Sequence, residues 1–316
     1  MKALLKQKDK LQLLITASAL LALIIFFSIL SPFFLTSTNM MTILLNSAIV
    51  GLIAVGQFLC IVTRNFDMSV GNVSAMSGVL MTMLVVSSGW SVPMAVFAGL
   101  AFGLLSGFIA GFSVAKLHTN AFITTFALLQ IYRGVLFVLT GGIPIMVPPN
   151  PPFRFLGTFR VFDTIQLPII FLIVTYVVFY FIMKYTKLGR NIYAVGSNPE
   201  AAHICGVNVA RVKIFCFVVI GVLSAFAGIL FTSRINSGSP TVGAMYALDS
   251  IAACVVGGTA MTGGKGSIVG VFMGVMIVSV VQNGLVMIGL DAAYHFIVTG
   301  LIMFGAVLAQ TRRKKS

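Results

Sequence analysis

The sequence is 316 residues long, 59% hydrophobic and only 8% charged, with a mean hydropathy of +1.09. A soluble protein carries about 25% charged residues, so this composition excludes a water-soluble fold and predicts an integral membrane protein. Twenty Lys and Arg against six Asp and Glu give a net charge of +14; because the basic residues stand between long apolar runs and form no stripe, lipid is the expected surface and nucleic acid is excluded as a partner.

Lys2, Lys6, Lys8 and Lys10 precede an apolar run that continues from Leu11 without a charge until Arg64 and without a small-residue cleavage site near its end. The first segment is therefore expected to stay as an anchor. A spanning helix needs about 20 apolar residues, so the uncharged stretches 11–63 and 68–115 each contain two spans. Ser31-Pro32 with Thr36-Ser37-Thr38-Asn39 divides the first, and Ser87-Ser88-Gly89 with Pro93 divides the second. The expected spans are about 11–30, 42–62, 69–88, 92–115, 120–140, 165–183, 212–232, 247–262, 267–284 and 293–310. The fold class is all-α: a polytopic bundle of about ten helices, read as one transmembrane domain over residues 1–316.

With the N-terminus inside, 16 of the 20 basic residues fall on the inner side, leaving Arg133, Arg154, Arg160 and Arg234 outside or within the membrane. This positive-inside bias and the even span number place both termini in the cytoplasm. The break at Thr63 to Gly71 is a capped hairpin or a discontinuous element in which Asp67 and Ser69 help shape a path. Gly99, Gly103, Gly107 and Gly111, and again Gly266, Gly270 and Gly274, recur every four residues and predict close helix packing, within the chain or between copies. The outer loop at about 141–164, rich in Gly and Pro, is a connector or a docking surface. The inner loop at about 184–211 carries Asn198-Pro199-Glu200, a helix start, and Gly206, a helix stop. One short helix, Pro199 to Cys205, is expected there, on the headgroups or against a cytoplasmic partner.

Polar residues inside spans must be paired or face water. Asn46, Gln57, Asn120, Asn283 and Arg133 are therefore candidates for a translocation path, with Asp67, Ser69 and Asp249 at breaks. No carboxylate falls in the middle of an expected span, which disfavours ion-coupled secondary transport, the runner-up reading, and favours a neutral substrate. Thr259 to Ser267 fails the Walker pattern, because Thr259 replaces the first Gly and Lys265 is followed by Gly266. His118, His203 and His295 have no metal-ligand spacing, Cys60, Cys205, Cys216 and Cys254 form no CxxC pair, and no GxSxG elbow occurs. The chain is expected to be non-catalytic, without metal or cofactor, so ATP as an energy source implies hydrolysis on another chain.

Four separated motifs carry a family resemblance: Asp67-Met68-Ser69-Val70-Gly71; Thr186-Lys187-Leu188-Gly189-Arg190 with Tyr193 to Asn198; Ala202 with Gly206-Val207-Asn208-Val209; and Leu248 to Ala253 followed by Gly257-Gly258-Thr259 and Gly263 to Gly266. In these the sequence resembles the membrane permeases of bacterial ABC importers for ribose and related sugars. Arg64-Asn65-Phe66, Tyr132-Arg133-Gly134 and Ile251 to Cys254 resemble the variants in the autoinducer-2 and rhamnose permeases. The resemblance implies an ABC importer permease fold present in two copies or with a close paralogue. It also implies an ABC ATP-binding subunit, an extracellular or periplasmic sugar-binding protein, and a bacterial cytoplasmic membrane. It implies further that Pro199, Glu200, Ala201, Ala202 and Gly206 lie against the ATPase.

Overall fold

The computed structural model describes residues 2–291 and 293–313, with side chains described from 13 to 305 except 292. Thirteen helices occur among the described residues: α1 (Lys2–Leu30), α2 (Ser37–Val62), α3 (Val70–Val86), α4 (Val92–Lys116), α5 (Ala121–Thr140), α6 (Pro151–Thr158), α7 (Leu167–Tyr185), α8 (Lys187–Ser197), α9 (Pro199–Ile204), α10 (Val209–Ile235), α11 (Tyr246–Val256), α12 (Ile268–Met287) and α13 (Ala293–Arg313). Each of the ten expected spans has a helix. Among the described residues, seven are long and apolar enough to cross a membrane, and Val70–Val86 and Tyr246–Val256 are shorter apolar helices. This is a multi-pass membrane protein of the all-α class.

Side-chain caps set many of the boundaries, since each helix start leaves backbone N–H groups without intrahelical partners. Asn120 Oδ1 accepts from Phe122 N and Ile123 N, Asn208 Oδ1 accepts from Arg211 N, and Ser267 Oγ accepts from Gly270 N.

Several expectations need correction. The eighth span, expected to reach 262, ends at Val256, because Gly257 and Gly258 let the chain turn and Gly258, Gly263, Gly264 and Gly266 all have positive φ. Its 11 residues extend about 16 Å, half a hydrocarbon core. Asp249, expected near a break, stands within the first turn of α11, just past the turn that precedes the helix, and is buried. The inner loop holds two helices, because Thr186 caps α8 ahead of α9. The outer loop has structure of its own: α6 and two two-residue strands, β1 (Ile145–Met146) and β2 (Arg160–Val161), lie within it, and β3 (Ile165–Gln166) follows at its end. β1 pairs antiparallel with β4 (Ser237–Gly238) beyond α10, and β2 pairs with β3. Ser233 Oγ donates to Phe153 O and accepts from Gly157 N, fastening α6 to α10. The expected cytoplasmic Lys314, Lys315 and Ser316 lie outside the described residues.

The glycine stripe of α4 is an internal seam. Added side chains at Gly99, Gly103, Gly107 and Gly111 would run into α10 at Ile229, Ala225 and Gly221, Phe217 and Val218, and Ile214 in turn. The second stripe is internal for Gly270 and Gly274, which abut Gly257 O and Ala253 O of the α11 side. Gly266 is not part of a helical stripe; it lies in the preceding loop at φ 148. At the centre is α2, 94% of whose apolar window is buried. It packs on α10 through Gly56, on α7 and α12 through Gly51, and on α11 through Ala54.

Candidate functional site

Because α2 is surrounded, its polar side chains decide what its interior can hold. Asn46, Val50, Ile53 and Gln57 share one face, at the i, i+4, i+7, i+11 spacing of an α-helix. Asn46 is exposed, and Arg234 Nη1 at the end of α10 donates to Asn46 Oδ1 at 3.2 Å. Eleven residues further along, Gln57 is fully buried, and neither its Oε1 nor its Nε2 has a hydrogen-bond partner. An unpaired buried amide is costly, about 1–3 kcal/mol, so it marks a place where a polar ligand would be better received than an apolar one. This face, open at Asn46 and closed at Gln57, is the candidate path. Arg234, half-buried at the mouth, has no strong sequence signal beyond being a cation near the end of an apolar span.

The other candidates are placed differently. Asp67 is buried in the turn before α3 and accepts from Ser69 N and Ser69 Oγ at 2.7 and 2.6 Å. Asp67 caps the turn, while Ser69, at the N-cap position of α3, makes no side-chain capping bond and gives its hydroxyl to Asp67 instead. Met68 N donates to Thr125 Oγ1 and Asn72 Nδ2 to Leu129 O, which ties this break to α5. Asn120 is exposed and spends its oxygen on capping α5. Arg133 is exposed on α5, 5.9 Å over the Phe137 ring, in a shallow depression with Gln130 and Gly134. Asp249 is buried and accepts from Gln282 Nε2 at 3.0 Å and from Thr299 Oγ1 at 3.4 Å, joining α11 to α12 and α13. Asn283 exchanges two hydrogen bonds with Asn39, at 2.9 and 2.8 Å, and so holds α12 to the start of α2. The structure brings Asn46 and Gln57 onto one face and leaves Asn120 and Arg133 at α5, while Asn283 reaches that same face of α2 through Asn39, one i, i+7 step before Asn46. Among the described residues, no group of three His, Cys, Asp or Glu side chains is placed to hold a metal.

A second site is the arm formed by α8 and α9. Asn198 Oδ1 accepts from Glu200 N and Ala201 N, and Pro199 occupies the first turn, as the sequence suggests. The helix ends one residue early, at Ile204, and Gly206 exits at φ 82. Ala202, expected to share an outward surface with Ala201, instead packs into the core at 5% exposure. Val207 N bonds back to its carbonyl. The outward surface consists of Glu200, Ala201, His203 and Ile204, with Ile204 85% exposed.

Comparison with known proteins places this architecture. Residues 39–307 match the family model described as branched-chain amino acid transport system / permease component. The chain is 39% identical over 298 residues to the ribose import permease protein RbsC of Bacillus subtilis, covering 94% of this chain and 91% of that one. It is 36% identical over 298 residues to RbsC of Escherichia coli K12, covering 94% and 92%. It is 36% identical over 285 residues to the L-arabinose transport system permease protein AraH of Escherichia coli K12, covering 90% and 86%. With its helical bundle, its buried central helix and its end-to-end likeness to these permeases, the chain belongs to the family of bacterial ABC-importer permeases.

Proposed function

We propose that this chain is the membrane-spanning permease of an ATP-driven importer for a sugar or sugar-like polyhydroxylated solute. A separate binding protein delivers the solute, a separate ATP-binding subunit hydrolyses ATP, and a second copy or close paralogue completes the membrane core. The end-to-end similarity to ribose and arabinose permeases carries this reading. The interior chemistry supports it: both buried carboxylates, Asp67 and Asp249, are engaged by hydroxyl and amide donors, whereas the Gln57 amide is unpaired. An amide donates and accepts, as sugar hydroxyls do. The path then runs from Asn46 and Arg234 past Gln57. The charge asymmetry supports cytoplasmic termini and a cytoplasmic arm, with α9 set against the ATP-binding subunit through Ile204. The whole chain acts as one transmembrane domain.

Uptake of radiolabelled D-ribose and L-arabinose, with unlabelled competitors, is measured in vesicles holding the permease, its ATP-binding subunit and its binding protein. ATP-dependent uptake of at least one such solute is expected. Uptake driven by a proton or sodium gradient without ATP overturns the reading in favour of a secondary carrier. Gln57→Leu removes an amide with no partner, so abundance is expected to be normal and uptake to fall tenfold or more, corresponding to about 1.4 kcal/mol. Unchanged uptake removes Gln57 from the path. Single cysteines at Lys187 and Pro151 are expected to label from the cytoplasmic and outer sides respectively.

A further inference from the structure

Three segments distant in sequence meet backbone on backbone where α2 ends. Arg64, in left-handed conformation at φ 65, follows the last turn of α2 and donates its N–H to Ile61 O. Its side chain reaches α8: Nε donates to Gly196 O at 2.6 Å and Nη2 donates to Ser197 O. These are the last carbonyls of α8, the negative end of its dipole, and a planar guanidinium spans two of them as a fork. The loop between α11 and α12 closes the third side. Gly264 N donates to Val62 O at 2.9 Å, and Tyr193 Oη of α8 donates to Gly266 O at 2.9 Å.

No slack exists in this knot. A side chain at Gly196 would collide with Val62 O and Gly264 N, one at Gly263 with Arg64 Cγ and Gly196 O, and one at Gly264 with the Ser197 backbone. Ser197 is followed directly by Asn198, the cap of α9. On the other side, Arg64 is seven residues, about 10 Å of helix, from Gln57. The arm and the path helix are therefore joined through a few hydrogen bonds, of which the Arg64 fork is the one made by a side chain of α2's own exit.

We propose that Arg64 is a positioning residue that locks the α8–α9 arm to the exit of α2 and the α11–α12 loop, so that displacement of α9 moves the helix lining the path. The proposal rests on the importer reading, with α9 as the contact for the ATP-binding subunit. Arg64 itself touches neither solute nor nucleotide.

The test uses the complete permease complex in lipid nanodiscs. A Cys205→Ser, Thr42→Cys background removes the exposed native thiol and places a reporter on α2 one turn before Asn46, outside the path residues. The rate of labelling by a membrane-impermeant maleimide is compared without nucleotide and with ATP plus vanadate. Co-purified ATP-binding subunit and ATP hydrolysis are measured on the same samples. If the background itself retains no ATP-binding subunit, or shows no ATP-dependent change in labelling, the importer reading fails and the proposal fails with it. Given a responsive background, Arg64→Ala is expected to keep the ATP-binding subunit and hydrolyse ATP while losing the labelling response, and to lose solute uptake when the same complex is reconstituted in closed vesicles. A response in Arg64→Ala equal to that of the background overturns the proposal. If Arg64→Ala does not fold or sheds its partner, Arg64→Lys decides, since it keeps the charge and loses the fork. A diminished response with the partner retained supports the proposal, and a full response overturns it.

Discussion

Gly107→Ala tests whether the α4–α10 seam sets the spacing of the bundle. A methyl group at Gly107 would fall on the Phe217 carbonyl and stand 2.9 Å from Val218 Cα, where real Cβ contacts are not found. Both obstacles are backbone, so no rotamer change relieves them and the helices must part by about 1 Å, losing dispersion along the seam. Overpacking of this kind costs about 1–3 kcal/mol, and rigid neighbours favour the upper end. The better helix propensity of Ala returns about 1 kcal/mol, leaving a net loss of about 2 kcal/mol. Gly134→Ala is the matched control, because nothing lies within 4 Å of its added methyl group, and a gain of about 0.5–1 kcal/mol is expected there. At roughly 2–4 °C per kcal/mol, the two variants should bracket the parent by several degrees in the midpoint for loss of the monodisperse peak on heating. A Gly107→Ala midpoint at or above that of Gly134→Ala refutes the seam as described.

The Asn39 and Asn283 amides should behave as a unit: either single change to Leu strands a buried partner at about 1–3 kcal/mol, while the double change costs less than the two singles summed. Thermal midpoints of the four proteins measure that coupling. On the arm, Ile204→Glu should leave abundance intact and reduce co-purification of the ATP-binding subunit. Ala202→Glu should lower abundance of the permease itself, because that position is inside the core; normal abundance would show that the arm is loosely packed.

The spans are legible in the sequence because lipid demands an unbroken apolar run. Interior turns leave weaker marks. Thr186 caps a helix in which Leu188, Ile192 and Val195 all face the core, at a spacing of 4 and 3, yet Gly189 and the surrounding Lys and Arg make the segment read as a loop. The place of Gly189 becomes clear only in three dimensions, where its missing side chain lets α8 fold back on Ile182 and Met183 of α7. Amides are the least legible. Gln57 and Asn283 are similar residues in similar apolar runs, and only the presence of Asn39 opposite one of them separates a structural pair from a buried unpaired amide. Ala202 and Ile204 show the same limit: a six-residue helix is too short for periodicity to say which face is buried.

The shortness of α11 also constrains how the chain is assembled during synthesis. Eleven residues cannot cross the hydrocarbon on their own, and its exit turn satisfies its polar groups through the rest of the fold: Gly264 N needs Val62 O, and Cys254 Sγ donates to Ala54 O. Both partners belong to α2, made about 200 residues earlier. Segment 246–267 therefore has no stable resting place in the bilayer until α2 is already there and α12 has emerged to cover its other side. The last third of the protein must close onto a standing scaffold, and a lesion in α2 would be registered by the cell as a failure to insert α11.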